Sequence, residues 1–421
     1  MYKKLALYLS ANLIAQIITL LSYPLITRVY SSSEIGLSSP ILMGLAMFMS
    51  FSTLNLPYLA MTLNSKFERD SAFSASLQVS CFLTPLILVF SACYFRWVEE
   101  YSTDMLILVL LVAATFLGSS LILILERFLQ YYEKFNVVSF SLILASIVGA
   151  LCKLIFAFLG YGYWGLILAF VVGLVVQLLV CLKACMSMGE FKNTLRIQSM
   201  ERLIGFVSNT QFTFFRTSQA FIWFITTVSI STIVLTLYGT ESAGIFSLAW
   251  LMASAVGNIL GKALFDIFYS TTTKLDADNY ILKSQQYWSV LAKLVPALFL
   301  FSVIAYFFAG PIFKVLFGAE WAVSGYLCVL LFCSFTFGSI LAPIFISYIR
   351  WNKQHIQLFF SVLTLFIPII SMYIVHSFGG SLIVSVAVYS AVNIIILAFS
   401  AFYCTKLIAL KNIKKGCQIA N

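Results

Sequence analysis

Apolar stretches of about 20 residues or more recur some twelve times along this chain, each closed by a short cluster of charge, glycine or serine. A helix needs about 20 such residues to cross a bilayer, so each stretch is a candidate span. They cover roughly 5–27, 37–63, 71–95, 105–129, 137–159 and 164–185, then 212–238, 243–272, 287–310, 322–349, 356–377 and 380–405. Of the 421 residues 62% are apolar and only 10% are charged, against roughly 25% charged in a soluble domain. No length is left for a large soluble catalytic domain, and the fold class expected is all-α, a polytopic membrane protein of about 12 transmembrane helices.

The 25 Lys and Arg outnumber the 15 Asp and Glu, giving a net charge of +10. In a soluble chain that excess suggests nucleic acid; here its placement accounts for it. With both termini cytoplasmic, most of the basic residues fall on the inner side, among them Lys3, Lys4, Lys66, Arg69, Arg127, Lys134, Lys183 and Lys406 to Lys415. The outer side holds only Arg28, Arg96 and Lys314. This bias predicts an N-in, C-in topology in contact with the phospholipid bilayer and no nucleic-acid partner. Lys3-Lys4 followed by an apolar run imitates a signal peptide, but the run is long and lacks a small-residue cleavage site, so a retained first span is expected. Nine Cys with no CxxC pair and two His leave no metal site, disulfide framework or cofactor legible, and the cysteines read as small core hydrophobes.

The longest polar stretch, about 186–211, divides the chain into halves. The expected organisation is an N-terminal six-helix lobe (1–186), a cytoplasmic linker (187–211), a C-terminal six-helix lobe (212–405) and a basic tail (406–421). Phe191, Leu195, Ile197 and Leu203 among Lys192, Arg196 and Arg202 suit a linker lying on the membrane surface. The halves resemble each other. Tyr30 to Ser39 aligns with Tyr238 to Ser247 through Tyr, Gly and Ser, and Gly162 to Ile167 aligns with Phe378 to Ile383. A 6+6 duplication follows, with a pseudo-twofold axis along the membrane normal, an arrangement suited to alternating access around a central cavity.

Pro24 to Tyr30 followed by Glu34-Ile35-Gly36, Tyr238-Gly239 to Ala249, and Trp164-Gly165-Leu166 resemble polysaccharide-repeat flippases of the multidrug/oligosaccharidyl-lipid/polysaccharide exporter superfamily. The resemblance runs over essentially the whole chain, through short motifs. It implies movement of an undecaprenyl-diphosphate-linked oligosaccharide, an O-antigen repeat unit, from the cytoplasmic to the periplasmic leaflet of a bacterial inner membrane. It also implies a polysaccharide polymerase and a chain-length regulator as partners, and no enzymatic activity.

Ionisable residues at membrane depth cost at least about 2.5–3.5 kcal/mol on insertion scales, so they usually face an interior or a watery cavity. The candidates are Lys153, Arg216, Lys262, Asp266 and Lys293. Lys153 has no acidic residue within a helical turn and needs water, a ligand or a partner from another helix. Lys262 and Asp266 share a helix face at i and i+4, either as a self-neutralising pair or as a cavity cation with a carboxylate that orients it or carries a coupling proton. Gly257 and Gly261, spaced as GxxxG, would let a neighbouring helix come close. Arg216 and Lys293 lie near span ends, where snorkelling to headgroups competes with cargo binding. Arg28 matches a basic position of the resembled family or anchors the interface. Asn12 and Gln16 share a face of the first span, while Asn55 with Pro57 interrupts the second; such amides serve as interhelical hydrogen-bond partners or line a polar cavity. Trp164, Trp223, Trp250 and Trp288 could stack on sugars, although interfacial belts account for most such rings.

Other surface-polysaccharide exporters, including capsular ones, fit the same features. A polymerase would carry a large periplasmic loop, which is lacking. A glycosyltransferase would need an acidic motif at the membrane face, and Asp276-Ala277-Asp278 reads better as a solvated loop. A drug or cation antiporter of the superfamily would favour acidic cavity residues, whereas four of the five clear intramembrane charges are basic.

Overall fold

In hydrocarbon the backbone has no water to bond to, so a crossing segment must satisfy its own N–H and C=O groups. The computed structural model describes the backbone of residues 2–61, 63, 65–98, 101, 103–188, 191, 211–272 and 277–419. Side chains are described over the same ranges except at 2–9, 211–213, 216, 258, 260, 262–263, 265–267, 269–272, 277–278, 280–281, 349 and 408–419. Among the described residues every long element is a helix. They are α1 (Tyr2–Val29), α2 (Ser32–Met47), α3 (Leu56–Ala60), α4 (Lys66–Trp97), α5 (Met105–Tyr131), α6 (Phe135–Phe158) and α7 (Tyr163–Met186). Then follow α8 (Gln211–Thr272), α9 (Ala277–Phe317), α10 (Ala322–Arg350), α11 (Gln354–Ser377) and α12 (Leu382–Ile419). Eleven of these are long and apolar enough to cross a membrane. Gly239, at φ 83° and ψ 174°, breaks α8 into two limbs, which gives the twelfth crossing.

The second span differs most from its expected limits. It begins at Ser32, where the Ser31 side chain accepts from the Glu34 N–H and the Glu34 carboxylate accepts from the Ser31 N–H, a capping box that ties two free helix-start donors. It ends in a 3-10 turn at Phe48–Ser50. Leu54 and Asn55 then take left-handed conformations, φ 49° and 58°, which no helix can pass through, before Pro57 opens α3.

The chain divides into two units, Met1–Thr236 and Leu237–Asn421. The boundary lies inside α8 rather than in the 187–211 linker, because the first limb of α8 bonds into the first unit. Ser231 and Ser39 share a hydrogen bond of 2.9 Å, Thr232 and Tyr94 one of 2.7 Å, and Asn55 donates to Thr217 at 3.1 Å. Of the linker, residues 192–210, Leu195, Ile197 and Leu203 among them, lie outside the described residues. Phe191 departs from the expected surface placement: the ring is buried against Phe128, at 5.3 Å between centroids. Cys181, Cys185 and Cys404 are buried, as expected of small core residues, whereas Cys81 and Cys93 point outward from α4, where a thiol meets hydrocarbon without penalty.

Within each unit the repeat is visible. In the first, α4 packs on α5, α5 on α7 and α6 on α7; in the second, α9 packs on α10, α10 on α12 and α11 on α12. Tyr30 and Tyr238, aligned in sequence, each bond a later helix of their own unit. The Tyr30 hydroxyl donates to the Lys153 carbonyl near the end of α6 at 2.8 Å, while Tyr238 bonds Ser385 at the start of α12 at 2.5 Å. A Cβ on Gly165 would lie 2.5 Å from the Tyr30 hydroxyl, so the glycine is what lets the tyrosine in. Burial first, then the Glu34 carboxylate, pushes the Tyr30 phenol up to about 12, which keeps it a proton donor.

The GxxxG pair behaves as its spacing predicts. A Cβ on Gly257 would sit 3.0 Å from Phe335, and one on Gly261 2.9 Å from the Ser339 hydroxyl, which donates to the Gly257 carbonyl at 2.7 Å. Replacing Gly261 with Val should therefore force α8 and α10 apart and lower stability by about 1–3 kcal/mol. Gly118→Ala, whose added methyl meets nothing within 4 Å, should be neutral or slightly stabilising. Thermal unfolding of the detergent-purified protein, followed by tryptophan fluorescence, distinguishes the two.

Candidate functional site

Lys153 sits on α6, facing α1. Its ammonium lies 5.2 Å from the centroid of the Tyr23 ring, so the partner it needs from another helix is an aromatic face rather than a carboxylate. Tyr23 stands 7 and 11 residues beyond Gln16 and Asn12 on α1, spacings that keep all three on one stripe. Both amides are half-buried there. Lys153, Asn12 and Gln16 are thereby associated with one seam, which α1 forms with α6.

The other sequence candidates are dispersed. Arg28 is exposed in the last turn of α1, where a cation complements the carbonyl end of the helix. Asn55 is buried and its amide donates to Thr217 at 3.1 Å and to the Ser50 carbonyl at 3.4 Å, an interhelical link. Lys293 projects from the exposed face of α9 between Ala292 and Leu294, a placement suited to snorkelling. The side chains of Arg216, Lys262 and Asp266 lie outside the described residues; their backbone places Arg216 in the first limb of α8 and the other two one turn apart in the second. Trp164 does not offer a free ring edge: its indole N–H donates to Asp104 at 3.2 Å, beside the Tyr163 hydroxyl at 2.5 Å.

A second polar cluster, in the first unit, had no counterpart among the sequence candidates. Arg69, only 5% exposed, stacks on the Tyr131 ring with 4.0 Å to the centroid, bonds its hydroxyl, and has the Asp70 carboxylate 3.9 Å away. Arg127 lies over the Tyr58 ring at 4.2 Å, donates to the Tyr58 hydroxyl at 2.7 Å and to Gln130 Oε1 at 2.5 Å. Glu126 is buried and accepts from Gln177 Nε2 at 2.8 Å. Arg127 and Tyr131 are one turn apart, so both guanidinium–tyrosine stacks use the same end of α5. Two buried donors, Arg127 Nε and Gln130 Nε2, have no acceptor among the described residues. The sequence concealed Arg69 because α4 starts five residues before the expected span, whereas Glu126 and Arg127 fell inside the expected span 105–129, at its inner end. Arg69 is helical and buried, and Arg127 is helical and half-buried. The i, i+4 spacing of Arg127 and Tyr131 was the available signal.

Chemically these groups bind and orient. Of the cluster's acids, Asp70 faces Arg69 and Glu126 accepts from Gln177, no group of three or more metal-ligating side chains occurs among the described residues, and Arg127 Nε keeps donor capacity for an anion.

Solved structures with the same architecture are membrane transporters. An inward-facing multidrug resistance MATE family transporter of the MOP superfamily superposes with a TM-score of 0.68 at 14% identity, over 94% of this chain and 95% of that one. A MATE protein in the bent conformation gives 0.59 at 13%, over 98% and 95%. A MOP superfamily transporter from Pyrococcus furiosus, described as having a binding pocket of reverse polarity, gives 0.56 at 14%, over 96% of each chain. The protein thus has the all-helical, multi-pass fold of the MOP-superfamily exporters. Within it, residues 25–325 match the family described as "Polysaccharide biosynthesis protein", and the chain belongs to that family. No curated protein matches the sequence.

Arg69→Lys keeps the charge but loses the planar stack on Tyr131, and should lower stability by about 1–2 kcal/mol. Lys293→Ala, on an exposed face, should stay within about 0.5 kcal/mol of the parent. Unfolding midpoints in one detergent compare the two.

Proposed function

We propose that this protein is a flippase that carries an undecaprenyl-diphosphate-linked oligosaccharide, an O-antigen repeat unit, from the cytoplasmic to the periplasmic leaflet of a bacterial inner membrane. Alternating access with both termini cytoplasmic is part of the proposal. The observation that carries it is the family match over residues 25–325 on a transporter fold. A diphosphate cannot cross about 30 Å of hydrocarbon unaided, and fixed cations must replace its hydration. The polyprenyl tail can stay in lipid while the sugar head passes, so no bond is made or broken and no enzymatic step is needed.

Lys153 is the proposed primary cargo contact, because an ammonium resting on an aromatic face can exchange that face for a phosphate oxygen. Arg28, Arg216, Lys262 and Lys293 are proposed as further contacts along the path, Asp266 as the coupling or pairing carboxylate, and Asn12, Gln16 and Asn55 as its polar lining. Release must also be possible, which favours a few moderate contacts over a closed phosphate cage. The reading as an exporter of cationic drugs has less support: it asks for an available carboxylate, and in the first unit Asp70 and Glu126 are engaged. A capsular or other lipid-linked glycan would use the same chemistry.

Deletion in the native host should abolish surface repeats and accumulate lipid-linked repeats in the cytoplasmic leaflet, seen by gel and by extraction of polyprenyl-linked sugars. Lys153→Ala should reduce repeat display roughly 10–100-fold at unchanged protein level, the loss of one charge-assisted hydrogen bond, with partial rescue by Lys153→Arg. Normal display in Lys153→Ala sinks its role. A single repeat reaching the surface of the deletion strain points to a polymerase, and unchanged glycans with heightened sensitivity to cationic drugs to an exporter.

A further inference from the structure

The second unit carries a groove of about 490 Å³ between α11 and α12 that the transport reading does not use. On α12 its wall is a stripe from Val392 through Ile395, Phe399 and Phe402 to Lys406, at the three- and four-residue spacings of a single helix face. The fourteen steps from Val392 to Lys406, at 1.5 Å each, make the stripe about 21 Å long, more than half of the roughly 30 Å hydrocarbon core. Phe360 closes the opposite wall, 6.4 Å from Tyr403 between centroids.

Ile395, Phe399 and Phe402 are each more than half exposed, and in a chain that spans a bilayer such a concave apolar wall must be filled by hydrocarbon. Its one charge stands at the end. Lys406 lies at the close of the apolar span Leu382–Leu407, and its ammonium is held 4.9 Å from the Phe402 ring centroid, directly beside the groove. Lys411, Lys414 and Lys415 follow in the sequence with no acidic residue after Lys406, a juxtamembrane basic cluster that draws anionic lipid.

We propose that this groove is a binding site for one acyl chain of an anionic phospholipid from the surrounding bilayer, with the lipid phosphate on Lys406. The site is independent of the cargo: the flippase proposal can fail and the groove still hold, and the reverse.

The full-length protein, reconstituted in vesicles of equal phosphatidylglycerol and phosphatidylcholine and re-extracted in mild detergent, should retain phosphatidylglycerol over phosphatidylcholine at a ratio of about five to one, the weight of one surface cation. Retained lipid is quantified by mass spectrometry. Lys406→Ala should bring the ratio back towards one, Lys406→Arg should preserve it, and Ile395→Trp, which fills the groove, should remove the retained lipid whatever its headgroup. Equal retention of the two lipids by the parent protein, or enrichment that survives both Lys406→Ala and Ile395→Trp, overturns the proposal. So does a native dimer that Ile395→Trp dissociates, since the groove is then an interface between copies of this chain.

Discussion

The absence of water from the bilayer core is the constraint on which everything else here depends. It makes every crossing a helix, and it removes the usual advantage of burying apolar side chains, since lipid tails are as apolar as leucine. Helices must then be joined by close packing and by polar groups. Gly257 and Gly261 let α10 approach; Ser39 with Ser231, Tyr94 with Thr232 and Asn393 with Ser334 supply hydroxyl and amide links. Other hydroxyls, such as Ser76, Thr84 and Ser120, bond back to carbonyls of their own helix four residues earlier, which hides them without committing them to a partner helix.

The same constraint separates polar groups that hold the fold from those available to a cargo. Trp164, Tyr163 and Asp104 form a hydrogen-bonded set in the first unit, as do Tyr238 and Ser385 in the second. Several residues that carry the family resemblance are thus structural: Tyr30 and Gly165 fit each other, and Trp164 is anchored. Lys153 and Arg127 differ because the rings beneath them satisfy a cation without neutralising it.

Much of this was legible from residue order, and its gaps have a common cause. Asn55 with Pro57 marked the break in the second span, the spacing of Gly257 and Gly261 marked a close helix contact, and Tyr30 and Tyr238 marked the duplication. Arg69 escaped because the inside-positive bias assigns arginines near span ends to loops, while α4 extends beyond its apolar stretch and buries it; Arg127 lay inside its expected span but was counted with the inner-side charges, and its stack on Tyr58 is a contact between helices. Phe191 escaped likewise, sitting among charges in sequence and against Phe128 in space. The first limb of α8 was grouped with the later helices by its position after the linker, whereas its serine and threonine side chains bond to helices of the first unit.

The sequence by itself determined that the chain crosses a membrane about twelve times as helices, that it is a doubled unit, and that its deep charges are mainly basic. These are one-dimensional properties: length, period and composition against a fixed hydrocarbon thickness. Only the tertiary structure decided which charges are held and by what, for a guanidinium over Tyr58 and an ammonium over Tyr23 are contacts between residues 69 and 130 positions apart. Whether a buried cation is neutralised or left open depends on the few ångströms around it, and chain order does not carry that distance.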